Sequence, residues 1–141
     1  MSSADNRKLL KDMFAGLANR DSTLFLDGLA DDVTWSIIGS NSWSGTYTGK
    51  DAVLRDLLMP LRNLLAERSK TVAQRFIVDG DVAAVEARGH NVTRAGTPYN
   101  NEYCLVFRFA GSKIVDVVEY SDTELIAKAL TDRTVAIAAM G

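Results

Sequence analysis

The segment Pro98 to Asp122, PYNNEYCLVFRFAGSKIVDVVEYSD, constrains the fold more than any other part of the chain. Glu102 to Phe109 is rich in aromatic and β-branched residues, Ile114 to Tyr120 is rich in valine, and Ala110-Gly111-Ser112 lies between them. That pattern predicts a β-hairpin. Alternation along the second run puts Val115, Val117 and Glu119 on one side and Ile114, Asp116, Val118 and Tyr120 on the other. A carboxylate that shares a side with two valines is either a rim residue or a buried, working group. Much of the functional reading turns on which.

The remaining elements follow from periodicity and punctuation. Asp5 to Asn19 predicts a helix with Leu9, Leu10, Met13, Phe14 and Leu17 on one apolar stripe. Asp21 or Ser22 can cap a short second helix through Leu29. Val33 to Ile38 is expected as a strand, after Ala30-Asp31-Asp32 ends that helix. Ser40 to Gly49 is small, polar and glycine-rich, which predicts a loop. Thr48 can cap a helix that runs to about Glu67, with a kink or break near Leu57 to Leu58 because Pro60 sits inside it. Lys70 to Val78 and Val82 to Arg94 are expected strands separated by the turn Asp79-Gly80-Asp81. After the hairpin, Ser121-Asp122-Thr123-Glu124 matches a capping box that opens a last helix, through Leu130. The tail from Thr134 either packs on a partner or frays. The order is α-α-β-α-β-β-β-β, with helices first and consecutive antiparallel strands last. It predicts an α+β fold, a curved and mainly antiparallel sheet wrapped around N-terminal helices.

Composition narrows the function classes. With 141 residues, 47% apolar and 24% charged, the chain is expected to form one domain spanning residues 1–141. A net charge of −2 without a basic block argues against a nucleic-acid partner. No stretch approaches the ~18 apolar residues of a membrane span. The N-terminus, MSSADNRKLLKDMF, has no apolar signal-peptide core, so a cytoplasmic location is expected. Cys104 is the single cysteine, which excludes an internal disulfide. Asp21, Asp31 and Asp32 suit helix termini rather than a metal site, because no histidine or cysteine cluster joins them. No glycine-rich phosphate loop is present, so no cofactor is expected.

The run ending LADDVTW, the join SGTYTGKDAV and the hairpin segment through SDTELI together resemble the nuclear transport factor 2-like superfamily, in its SnoaL-like and ketosteroid isomerase-like branch. The resemblance covers nearly everything from Asp5 to Leu130. It implies a cone in which a strongly curved sheet and its helices enclose an apolar pocket, and a homodimer through the outer sheet face. On that layout Val85, Val106, Val118 and Cys104 would lie on the outer face. Chemistry is less constrained, since this superfamily hosts isomerases, cyclases, hydrolases, dehydratases and non-enzymes. The positions that resemble the ketosteroid isomerase base and its two oxyanion donors are Ile37, Met13 and Leu105. All three are apolar, so that mechanism lacks its groups while the positions still imply a pocket lining. The resemblance to limonene epoxide hydrolases instead implies Glu86, Arg88 and Glu119 as a working trio.

Glu86 and Arg88 lie two apart on one strand and share a face. If that face is concave they must pair, and Glu119 on a neighbouring strand completes a Glu-Arg-Glu cluster with Arg88 in hydrogen-bonding reach of Glu119. The alternative is a salt-bridge row on a solvated face. His90 has the same parity and is either a base or a rim residue. Trp35 is a pocket wall or a core aromatic. Tyr103, on the side of Leu105 and Phe107, can place its hydroxyl in the cavity, and Tyr47 with Trp43 is either a lid or an ordinary surface loop. The expected function is a cofactor-free acid–base enzyme of isomerase, cyclase, hydrolase or dehydratase type. Its partner would be a small apolar molecule of polyketide, steroid or terpenoid character. The alternatives are a non-catalytic ligand-binding protein and a dimeric interaction module.

Overall fold

A computed structural model describes residues 1–141. Helix α1 (Ser3–Ala18) begins two residues earlier than its apolar stripe requires, because Ser2 and Asp5 form a reciprocal capping box. Helix α2 (Thr23–Asp27) follows, and strand β1 (Leu29–Ile37) already includes Ala30-Asp31-Asp32. Residues expected as loop supply strand β2 (Gly45–Thr48), which pairs antiparallel with β1. The cap of the next helix is Gly49 rather than Thr48, at a φ of 90° that glycine tolerates best.

That helix is interrupted where Pro60 predicts. Helix α3 (Lys50–Val53) passes into a π-helical turn (Leu54–Leu58) and then into helix α4 (Met59–Leu64). Pro60 has no N–H to offer the carbonyl of Asp56, four residues back. Arg133 replaces it, its Nη1 donating to the Asp56 oxygen at 3.2 Å. Arg133 opens helix α6 (Arg133–Ala138), so the expected tail is a docked helix. Its Nε also donates to the Ser42 carbonyl, and its guanidinium lies over the Tyr47 ring.

The strands are β3 (Thr71–Asp79), β4 (Val82–Gly89), β5 (Asn91–Val92), β6 (Pro98–Tyr99), β7 (Glu102–Ala110) and β8 (Lys113–Ser121). The single strand expected over Val82 to Arg94 is thus two, and β5 pairs only with β6. The main sheet has the order β2-β1-β8-β7-β4-β3, antiparallel throughout except for the parallel β1/β8 pair. Helix α5 (Thr123–Ala129) is capped by Asp122, whose carboxylate accepts from the Leu125 N–H; Ser121 stays in the strand. No helix is long and apolar enough to cross a membrane.

A register shift on β8 and the parity of β4 set which residues face the helices. On β8 the ladder pairs Phe109 with Ile114 and Arg108 with Asp116, leaving Val115 as the extra residue of a bulge. Ile114, Val117 and Glu119 therefore all face inward, which corrects the unbroken alternation expected for this strand. On β4 the inward set is Ala83, Val85 and Ala87. Val85 is fully buried there rather than on the outer face, and Glu86 and Arg88 take that outer face instead.

Removing the Arg133 head group should leave the Asp56 and Ser42 carbonyls without their donors. We expect Arg133→Met to destabilise the fold by about 1–3 kcal/mol in urea titration, with an unchanged m-value.

Candidate active site

Glu119 is carried by β8 in the middle of the sheet. Its register partners are Leu105 on β7 and Ile37 on β1. The helical layer above it is held off the sheet at this end, leaving a cavity of about 390 Å³, within the usual range for small-molecule sites. Trp35, Tyr103, Leu105 and Glu119 line it from the sheet; Phe25 and Leu58 are among the apolar side chains that close it from above. The π-helical turn contributes here: the residues displaced by the Pro60 interruption, Leu54 and Leu58, point into the cavity.

Glu119 is only 8% exposed and forms no ion pair. Its one side-chain hydrogen bond is long, 3.4 Å from the Ser121 hydroxyl to Oε2. Burial without a counter-charge disfavours the ionised form and pushes the carboxyl up to about 7. Trp35 and then Ser121 oppose that rise. The Trp35 indole N–H is itself buried with no acceptor in hydrogen-bonding geometry. An ionised Glu119 is the natural acceptor for this orphaned donor, which is why Trp35 opposes the rise.

Tyr103 sits diagonally across the β7/β8 ladder from Glu119, one pair beyond Leu105. Burial, then the nearby Tyr99 and Glu119, hold its phenol well above the ordinary value. It is a neutral hydroxyl with a proton to donate. Tyr99 behind it is pushed up to about 12, again chiefly by burial. The fully buried Asn101 braces this corner. Its Nδ2 donates to the Tyr99 hydroxyl at 3.3 Å, and its Oδ1 accepts from the backbone of Glu102 and Asp122.

The structure separates the expected trio. Glu86 and Arg88 lie on the outer face, where Glu86 pairs with Arg75 at 2.6 Å and Arg88 with Glu102. Arg88 and Glu119 are on opposite faces of the sheet, so the expected contact between them does not exist. The reason is the small apolar parity of β4: Ala83, Val85 and Ala87 fit beneath the helices and Glu86 and Arg88 would not. His90 follows the same outward parity and lies exposed in a second, polar cleft beside Arg88, Asn100 and Asp122. Met13 and Ile37 are buried in the core but do not line the cavity. Tyr47 is also buried away from it, its hydroxyl donating to the Trp43 carbonyl at 2.7 Å, so this pair is part of the structural core and not a lid. No three His, Cys, Asp or Glu side chains are grouped to hold a metal ion. Arginines 20, 62 and 68 at the cavity mouth were not anticipated. Arg20 and Arg68 lie between the expected elements and Arg62 within the third expected helix, and no local pattern marks them.

The sequence pattern of the SnoaL-like domain matches residues 10–117. The chain belongs to the SnoaL-like domain family. Solved structures agree at the level of fold. An NTF2-like protein of unknown function from Burkholderia pseudomallei is 22% identical, with 93% of this chain and 100% of that one covered at a TM-score of 0.75. A putative SnoaL-like polyketide cyclase from Jannaschia sp. CCS1 is 13% identical, covering 89% and 91% at a TM-score of 0.72. TerC, co-crystallised with polyporic acid, is 20% identical, covering 89% and 97% at a TM-score of 0.74. No curated protein matches the chain.

The carboxyl of Glu119 has a clear stability signature. Its folded value of about 7 lies above the ordinary 4.5, so the native state holds a proton that the unfolded state has released between those values. Stability from this group is present below pH 4.5 and is lost as pH rises to about 7, a total of about 3 kcal/mol. Glu119→Gln should abolish that loss. In urea titrations the variant is expected to exceed the parent chain in stability at pH 8 and to converge with it near pH 4.5. An equal difference at both pH values would contradict a buried, unpaired carboxyl.

Proposed function

We propose that this SnoaL-like protein is a cofactor-free acid–base enzyme acting on a small apolar molecule, with Glu119 as its proton-transfer group. The observation that carries this reading is a single buried carboxyl, without a counter-charge, facing an apolar cavity, where burial pushes it up to about 7. A group with that value can accept a proton and return it at working pH. The reading fits reactions that remove and restore one proton at a carbon beside a carbonyl, as in isomerisation or intramolecular ring closure. It fits epoxide hydrolysis less well, because the arginine and second carboxylate implied for that chemistry point away from the cavity. The ladder adds support. Ile37, which the isomerase resemblance marks as the base position, is the direct β1 partner of Glu119, so the carboxylate reaches the same level of the sheet from the next strand. Tyr103 supplies a neutral donor at the diagonal position. The polyketide cyclase name and the polyporic acid of two structural neighbours are consistent with a ring-containing guest.

A second reading is ligand binding without turnover. It is favoured by the absence of any cation or second carboxyl paired with Glu119. Deuterium exchange into a panel of cyclic ketones and 1,3-diketones separates the two. Turnover should rise with pH through an inflection near 7, as the base form accumulates. Glu119→Gln should reduce it by about 10²–10⁴-fold. Exchange that is absent, or indifferent to Glu119→Gln, leaves the binding reading.

The working unit is proposed to be a cytoplasmic homodimer. Across the outer face, Val118, Val106, Ala84 and Ile77 form one continuous row over β8, β7, β4 and β3. Ile77 is 52% exposed, and Tyr120 on the same face is 46% exposed. An apolar row across the whole face suits a self-complementary contact. Val106→Lys is expected to convert a dimer into a monomer in sedimentation velocity without loss of secondary structure. A monomeric parent chain at micromolar concentration would overturn the proposal.

A further inference from the structure

The mouth of the Glu119 cavity carries charge that an apolar guest would not use. Arg20, Arg62 and Arg68 all border it, from the segments that follow α1 and close α4. Arg20 is already engaged: it donates to the Arg68 carbonyl and lies 3.3 Å from Glu67. Arg62 and Arg68 are not. Neither has a carboxylate within ion-pair distance, and the sole hydrogen bond of the Arg62 guanidinium is a 3.5 Å contact with the Leu65 carbonyl. Asp21 is the only acid among the mouth residues, and its carboxylate is turned onto the Thr23 N–H at 3.0 Å. The mouth is therefore net positive, with two guanidiniums that form no ion pair beside an apolar interior, although Arg68 is near enough to Asp21 to favour its ionised form. On the sheet, the cavity offers only neutral donors and Glu119.

We infer that the ligand is an amphipathic anion, whose apolar body fills the cavity and whose carboxylate, sulfonate or comparable oxyanion is held at the mouth by Arg62 and Arg68. This rests on the reading of the cavity as a ligand site. Guanidinium groups present paired donors that match a planar or tetrahedral oxyanion. Two such groups at one opening raise the local concentration of anions and favour the orientation that leaves the charge outside. The guest thus enters body first, and the end remote from its charge meets Glu119. A neutral guest of the same shape would gain the apolar contacts and nothing from the arginines.

Two fluorescent probes separate these terms: 8-anilinonaphthalene-1-sulfonate, and N-phenyl-1-naphthylamine, which has the same rings without the sulfonate. The parent chain should bind the sulfonate at least about tenfold more tightly at low salt, and that preference should shrink in high salt. Changing Arg62→Gln and Arg68→Gln together should remove the preference while leaving the neutral probe within about twofold of its parent affinity. Replacing both by lysine should restore part of it. Leu58→Trp, which fills the cavity, should exclude both probes. Equal binding of the two probes by the parent chain, or a preference that survives the double glutamine change or the Leu58→Trp change, overturns the inference. Binding of the neutral probe without preference for the anion overturns this inference alone; failure of both probes overturns the ligand cavity with it.

Discussion

Phe14 holds the two layers of this fold in register. Its ring meets Phe25, Phe76 and Phe107 edge to face, with centroids 5.9–6.2 Å apart, and so joins α1 to α2, β3 and β7 at one point. Phe25 extends the contact to Trp35 at 5.9 Å. Edge-to-face packing keeps large rings at a fixed separation, so the aromatic cluster acts as a spacer as well as a core. It fills the space between helices and sheet on one side and stops at Phe25 and Trp35. Those two rings are also cavity walls. The cavity opens where that cluster ends, with Tyr103 and Leu105 continuing its wall along the sheet.

Within that frame the protein tolerates a costly group. A carboxyl on the inner face of a sheet, flanked in the ladder by leucine and isoleucine, is desolvated whichever proton state it adopts. An arginine beside it would relieve the cost and also hold it permanently ionised. The charged residues of β4 face the other way, and the inner side of that strand is alanine and valine. Burial consequently pushes Glu119 up to about 7, against the opposing pull of Trp35 and Ser121. The burial costs stability at neutral pH, at the place where the proposed chemistry would exchange a proton with a guest. The same absence of a counter-charge that weakens the fold is what makes the carboxyl chemically available.

Local signals made much of the architecture legible. The β7/β8 hairpin, the α1 stripe and the interruption before Pro60 follow from patterns of a few residues, because a turn, a helix face or a missing N–H acts within one element. Three features escaped such patterns. Strand β2 is built from Gly45 to Thr48, which is strand only because β1 offers it a partner edge. Helix α6 is ordered by Arg133 reaching Asp56 and Ser42, contacts far apart along the chain. The bulge at Val115 is invisible in a run of alternating valines, yet it decides that Ile114 faces inward with Val117 and Glu119.

The candidate site divides in the same way. Glu119, Trp35, Tyr103 and Leu105 could be picked out from strand parity and family resemblance, since each shares its side of the strand with core residues. Their grouping around one cavity, and the exclusion of Glu86, Arg88 and His90 from it, depended on which face of β4 the helices cover. Parity places residues on the same side; it does not say which side is the inside. That choice belongs to packing, where alanine and valine fit under a helix layer and an arginine does not. The amino-acid sequence by itself determined the elements and the sides of each strand. Tertiary structure alone decided which carboxylate was buried without a partner, because desolvation is a property of everything that surrounds a group and not of its neighbours along the chain.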